Sequence, residues 1–224
     1  RIARLRRVLD LRQPDLTVVT DSVRKQRNLS AIVRSCDAVG IQYLHAVTGD
    51  DDYTAFRGTA MGSHDWVTIS RYRKVDDALL QLSQRGHQLV AAHLDESALD
   101  FRDIDYTRPT AIIFGCEGSG VSSAVLQRMD HCVSIPMKGM VGSLNVSVAA
   151  GIILSEAQRQ RELAGCFDQP RLDPASYDKL FFEWGHPAVR DFCQQRGLAY
   201  PRLNAEGEID NPAQWYASVR AGEA

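Results

Sequence analysis

The sequence predicts an α/β fold, a mostly parallel sheet with helices on both faces. Three observations carry this. Short apolar and β-branched runs recur along the chain, stretches with helical spacing lie between several of them, and Gly or Pro marks the junctions. Strands that read as continuous apolar runs are those buried on both faces of a parallel sheet, which requires helices above and below.

Taken in order, Ile2, Leu5, Val8 and Leu9 recur at helical spacing, so residues 1–12 read as a basic amphipathic helix ended by Gln13-Pro14. Residues 16–19 read as a first strand, and residues 28–39 as a helix closed by Gly40. Further strands are predicted at residues 42–47, 66–69, 88–92, 110–114 and 132–135. Helices are predicted at residues 75–85, 122–129 and 144–163. After Gly165 the chain turns rich in Asp and Pro (Asp168, Pro170, Asp173, Pro174), then resumes helical patterns at residues 176–182 and 187–196. This divides the chain into a basic helical extension (1–14), a main domain (15–164) and a C-terminal helical extension (165–224). A chain of 224 residues is long enough for one well-buried domain with such appendages.

Five cysteines form no C-x-x-C pair, which argues against a disulfide framework or a zinc knuckle and fits a reducing cytoplasm. No apolar run approaches the length of a bilayer span, so no membrane association is expected. The six histidines lack metal-ligand spacing, and no metal is expected. Trp66, Trp184 and Trp215 are expected to pack rather than stack on bases. The chain opens at Arg1 rather than Met, so a few residues are expected to precede it.

The net charge of −2 excludes an all-over basic nucleic-acid binder, yet charge is unevenly spread. Residues 1–34 carry nine cations against three anions, whereas residues 165–224 carry six against nine. On its own the basic stretch could be no more than a solvated helix face.

Three segments stand apart from ordinary core and surface. In Asn28-Leu29-Ser30-Ala31-Ile32-Val33-Arg34 a polar residue opens a helix and an arginine follows six residues on; taken alone, Asn28 would be a helix cap. Phe114-Gly115-Cys116-Glu117-Gly118-Ser119-Gly120-Val121 is a glycine-rich loop between a strand and a helix. Its G-x-x-G-x-G order is not the G-x-G-x-x-G of dinucleotide folds, which makes nicotinamide binding a weak alternative. In Ile135-Pro136-Met137-Lys138-Gly139-Met140-Val141-Gly142-Ser143-Leu144-Asn145-Val146-Ser147-Val148-Ala149-Ala150 a strand end runs through a glycine-broken loop into a small-residue helix, which Ser143 could cap.

Together and in this order, the three segments resemble the three motifs of the SPOUT methyltransferases, specifically the tRNA guanosine-18 2′-O-methyltransferase family. The likeness extends over nearly the whole chain, including Arg12-Gln13-Pro14-Asp15, Asp100-Phe101-Arg102-Asp103 and Glu156-Ala157-Gln158-Arg159-Gln160-Arg161. It implies a deep C-terminal trefoil knot in the 15–164 domain, a feature periodicity cannot reveal because knots are ordinarily excluded. It also implies a homodimer, a tRNA partner, and S-adenosyl-L-methionine as cofactor, held by Ala92, Gly115, Ile135, Met137 and Leu144. Arg34, Asn28, Glu117, Asn145 and Ser143 match the family's active-site positions. Arg6, Arg7, Arg12, Lys25 and Arg27, with Arg24, would contact RNA phosphates, and Arg159 and Arg161, which match cations near the site, are expected to bind RNA as well. The implied reaction places a methyl group on the ribose 2′-hydroxyl of a tRNA guanosine, G18 of the D-loop.

A guanidinium is ordinarily too weakly acidic to give up its proton and so has no free site to accept another. The expected role of Arg34 is to orient the hydroxyl and stabilise developing oxyanion charge, with true base catalysis left open. The chain departs from the family pattern at Gln26-Arg27, where Pro-His is common, and at Gly118, often Lys. Two other readings are an enzyme acting on ribosomal RNA and a non-catalytic RNA-binding protein on the same fold.

Overall fold

The structure is a computed structural model and describes residues 1–23, 25–48, 63–116, 118 and 120–222. The chain divides into two units, Arg12–Gln169 and the two chain ends, Arg1–Leu11 with Pro170–Ala224.

The larger unit holds seven strands: β1 (Gln13–Asp21), β2 (Ile41–Val47), β3 (Thr68–Tyr72), β4 (Gln88–Ala92), β5 (Leu99–Asp100), β6 (Thr110–Phe114) and β7 (His131–Ser134). They form one sheet in the order β3-β2-β1-β6-β4-β7-β5, and every pairing is parallel. β1 is longer than its apolar run predicts. Its first residues pair irregularly, with a register shift between Gln13 and Thr17, which accommodates Pro14, a residue with no N–H for the ladder.

Alternating side chains split the core in two. Val18, Leu44, Val90, Ile112, Phe114 and Val133 pack against Leu29, Ile32, Val33 and Cys36 of α2 (Gln26–Ala38) and Ile153, Leu154 and Ala157 of α5 (Val146–Leu163). Val19, Leu89, Ala91, Ala111 and Ile113 pack against Leu79 and Leu82 of α3 (Val75–Gln84) and Val125 of the short α4 (Ser123–Leu126). The sheet is therefore covered on both faces, as the apolar runs predict. Predicted boundaries moved where the local pattern was weak. The 66–69 strand lies at Thr68–Tyr72, the helix foreseen over 122–129 is a four-residue turn of helix, and the two-residue β5 had no recognisable signal.

At the N-terminal ends of the strands two arginines are wholly buried. Arg161 donates from Nε to the Tyr106 carbonyl (2.8 Å), from Nη1 to Gln13 Oε1 (2.9 Å) and Asp15 Oδ1 (2.6 Å), and from Nη2 to the Arg108 carbonyl (3.0 Å). Arg12 reaches Asp37 Oδ1 (2.6 Å) and the carbonyls of Ile41 (3.1 Å) and Trp66 (3.1 Å), joining the end of α2 to β2. Burial pushes the neighbouring Cys36 thiol up. The expectation that Arg12 and Arg161 contact RNA is corrected here: burial and these bonds commit both to holding the sheet together.

The second unit contains α1 (Ile2–Asp10), α6 (Pro174–Gly185), α7 (Pro187–Arg196) and α8 (Pro212–Ala221), the last not foreseen. Leu5 and Leu9 are the buried positions of α1, and Tyr177 Oη donates to Asp10 Oδ1 (3.0 Å). The basic face of α1 is partly consumed in this packing. The Arg6 guanidinium lies 4.3 Å over the Phe181 ring and donates to the Ala205 carbonyl, while Arg4 and Arg7 are exposed.

Candidate active site

A cavity of about 600 Å³ opens at the C-terminal ends of β4, β6 and β7, where open parallel sheets characteristically bind ligands. Ala92, Gly115, Ile135, Met137 and Leu144 all line it, as do Ser143 and Asn145. The wall also includes Cys116, Gly142, Val146 and Ala149 of the quoted segments, and His93, Leu94 and Ile153, which lie outside them. The position of His93 and Leu94 directly after a predicted strand end, and of Ile153 two helical turns along from Asn145, was the available signal.

The glycine-rich loop has a steric origin. Beyond β6 the chain folds back so that Cys116 bridges Gly120, whose N–H donates to the Cys116 carbonyl (3.0 Å). A Cβ on Gly115 would lie 2.2 Å from the Gly120 backbone, so no other residue fits without moving the loop. Gly120 has φ +66°, and a Cβ there would stand 2.9 Å from His93 Nδ1. That nitrogen is buried and has no hydrogen-bond partner among the described residues. Glu117 and Ser119 lie outside the described residues, as does Arg24.

Helix α5 starts at the cavity, and its cap is Asn145 rather than Ser143. Asn145 Oδ1 accepts from the Ser147 N–H (2.9 Å) and the Ser147 hydroxyl (2.6 Å), while Ser143 is exposed. Asn28 is likewise not a cap: Lys25 holds that position in α2, and Asn28 sits in the first turn, 9% exposed, with its N–H bonded to the Lys25 carbonyl (3.0 Å). Asn145 Nδ2 donates to Asn28 Oδ1 (3.2 Å), which joins the first and third segments across 117 residues of sequence. Arg34 is exposed on α2 and makes no hydrogen bond or ion pair among the described residues.

The other predicted cations scatter. Lys25 and Arg27 are exposed at the start of α2, beside Asn28. Arg159 is exposed but forms a two-bond ion pair with Glu156 (2.8 and 2.7 Å). Among the described residues no group of three or more His, Cys, Asp or Glu is placed to hold a metal ion, and no helix is long and apolar enough to cross a membrane.

The sequence profile of the SpoU rRNA Methylase family matches residues 15–155, and that of the SpoU rRNA methylase C-terminal region matches residues 159–212. The chain belongs to the SpoU methylase family. Among SpoU relatives, the tRNA (guanosine(18)-2′-O)-methyltransferase of Escherichia coli K12 is 44% identical over 223 residues, covering 99% of this chain and 97% of that one. A Thermus thermophilus protein of the same description is 50% identical over 181 residues, 81% of this chain and 93% of its own. The crystal structure of the Aquifex aeolicus TrmH/SpoU tRNA modifying enzyme superposes with a TM-score of 0.79 at 43% identity, covering 85% of this chain and 95% of that one. The SpoU methyltransferase AviRb of Streptomyces viridochromogenes, crystallised in complex with AdoMet, gives a TM-score of 0.61 at 31% identity, covering 67% and 62%.

Proposed function

We propose that this SpoU methylase transfers a methyl group from S-adenosylmethionine to the ribose 2′-hydroxyl of a tRNA guanosine, guanosine 18. The observation that carries this is convergence: six site residues from the family's motif segments, Gly115, Ile135, Met137, Ser143, Leu144 and Asn145, line one cavity with Ala92, and Asn145 is bonded to Asn28 on the helix that also bears Arg34. The Escherichia coli relative, which matches over 99% of this chain and so spans both chain ends, carries this activity in its name, as does the Thermus thermophilus relative over 81%. The family is named for rRNA, but full-length likeness to a tRNA enzyme favours tRNA over ribosomal RNA.

The cavity fits the cofactor. Its volume lies in the range for small-molecule sites, and its walls combine apolar Val133, Ile135, Leu144 and Ile153 with the glycine backbone at 115 and the unpartnered His93 nitrogen. Such walls suit a purine ring with a polar appendage. When bound, S-adenosylmethionine supplies a methyl group already activated on a sulfonium. Ala92, Gly115, Ile135, Met137 and Leu144 would hold it. Arg34 orients the 2′-hydroxyl and stabilises the negative charge that develops as its proton leaves. Asn28 and Asn145 hold the two helix starts together so that nucleophile and cavity stay in register. Glu117 would join the active site by family likeness, and Ser143 stands at the cavity rim.

Residues 15–164 would form the catalytic domain, with the trefoil knot of this family threading the 135–145 segment, and the two chain ends would serve RNA capture through Arg7, aided by Lys25 and Arg27. Exposed Leu94, Met140, Val141 and Val148, within or next to the cavity wall, favour a homodimer in which a second copy covers them. A cytoplasmic location follows from the substrate. The test is incubation of the purified chain with labelled S-adenosylmethionine and unmodified tRNA, followed by mapping of the methylated nucleotide. Ribose methylation at guanosine 18 is expected; a methylated base, or methylation of ribosomal RNA alone, would overturn the reading.

A further inference from the structure

Amide orientation is the point at which the site carries more than its motifs state. A backbone N–H can only donate, so the atom of Asn145 that faces the Ser147 N–H at 2.9 Å must be its oxygen, and the Ser147 hydroxyl at 2.6 Å holds the same oxygen from a second direction. Asn145 therefore turns Nδ2 toward Asn28, whose facing atom must be Oδ1. This leaves Asn28 Nδ2 as a donor of fixed direction. It is buried, on a residue 9% exposed, and has no hydrogen-bond partner among the described residues. An unpaired buried donor is costly to the free chain, and the cost is recovered when an acceptor arrives. Asn28 does not line the cavity, whereas Asn145 does, so the acceptor comes from the RNA side rather than from the cofactor. The exposed Lys25 and Arg27 beside it at the start of α2 suit a polyanion.

We propose that Ser147 is a positioning residue which, through Asn145, aims Asn28 Nδ2 at an acceptor oxygen of the RNA sugar-phosphate backbone. This rests on the function proposed above. The hydroxyl is the operative group, because the backbone bond from residue 147 persists in any variant and keeps α5 capped.

The test compares Ser147→Thr, which keeps a hydroxyl, with the nearly isosteric Ser147→Val, which lacks it. Ser147→Val is expected to lower kcat/KM for unmodified tRNA by roughly tenfold, the scale of one hydrogen bond to a charged acceptor. Ser147→Thr is expected to stay within about twofold of the parent, and calorimetric affinity for S-adenosylmethionine without RNA to change less than about twofold in both. In an Asn28→Ala background the Ser147→Val penalty is expected to shrink below about twofold, since the two act in one chain of bonds. Parent-like activity of Ser147→Val, an equal loss in Ser147→Thr, a loss confined to cofactor affinity, or a full penalty in Asn28→Ala each overturns the proposal. A second readout needs no methylation: by NMR, the Asn145 side-chain amide protons should exchange slowly in the parent and in Ser147→Thr, and faster in Ser147→Val. Unchanged exchange in Ser147→Val overturns the relay, whereas slow parent exchange with no tRNA methylation overturns only the function it rests on.

Discussion

Two polar networks, one at each end of the parallel sheet, use similar side chains to opposite effect. At the N-terminal ends of the strands, Arg161 is wholly buried and its donors are spent on Gln13, Asp15 and two backbone carbonyls. At the C-terminal ends, Asn28 Nδ2 and His93 Nδ1 are buried with no hydrogen-bond partner among the described residues, where exposed Arg34 has none either. A saturated network lowers the energy of the folded chain alone. An unsatisfied one costs stability in the free chain and is repaid only by a ligand. The contrast assigns roles that charge counting could not: Arg12 and Arg161 hold the scaffold, whereas Arg34, Arg27 and Arg7 are available to a substrate.

The sharpest attempt to break this contrast exchanges one arginine at each end. Arg161→Met should destabilise the chain by about 3–5 kcal/mol in urea unfolding, because it removes the wholly buried guanidinium from half-buried Asp15 and from two carbonyls. Arg34→Ala should change stability by less than about 0.5 kcal/mol while lowering tRNA methylation by roughly two to three orders of magnitude. Equal destabilisation by the two would erase the distinction.

Between the two ends, His45 on β2 tests whether buried polar groups away from the cavity act on stability alone. It is 4% exposed, its Nδ1 lies 3.1 Å from the Tyr72 hydroxyl, and burial, reinforced by Arg85 and His87, holds its pKa down to about 4 from 6.5. The unfolded chain thus binds more protons between these values. Its stabilising contribution, about 3 kcal/mol, is complete above pH 6.5 and is lost as pH falls toward 4. His87, also held low by burial, acts in the same direction. His45→Gln should flatten the acid limb of a stability-against-pH curve and leave methylation at about pH 7.5 near that of the parent.

Gly115→Ala probes the cavity end directly. With its Cβ 2.2 Å from the Gly120 backbone, the loop must move, at a cost of about 1–3 kcal/mol, and calorimetric affinity for S-adenosylmethionine should fall at least about tenfold. Affinity equal to the parent's would place the loop outside the cofactor site.

The smallest effect is expected from the double change Arg7→Gln with Arg27→Gln, which should make the salt dependence of tRNA binding shallower by about 1–2 in log–log slope without lowering the melting temperature. Arg12→Gln should do the reverse, lowering the melting temperature and leaving the slope unchanged, because that guanidinium is buried against Asp37.

Much of this was legible in the sequence. The apolar runs at 88–92 and 110–114 became β4 and β6 with the same limits, since continuous apolarity is what a doubly covered parallel strand requires. The residues assigned to the cofactor by family likeness all reached one cavity. Short elements failed because two to four residues carry no period: β5 and the shortened α4 depend on their neighbours for existence. The start of α5 was misread because both Ser143 and Asn145 are good caps, and only the bonds from Ser147 distinguish them.

By itself, then, the sequence determined the α/β class, a mostly parallel strand alternation and the motif residues, because each is encoded in consecutive side chains. Tertiary structure alone decided which arginines are buried, which asparagine caps α5, and that Asn28 keeps one donor unspent. Those outcomes depend on pairs such as Arg161 with Asp15 and Asn145 with Asn28, 146 and 117 residues apart. A hydrogen bond acts only over about 3 Å, so its partners are set by packing and not by any periodicity of the chain.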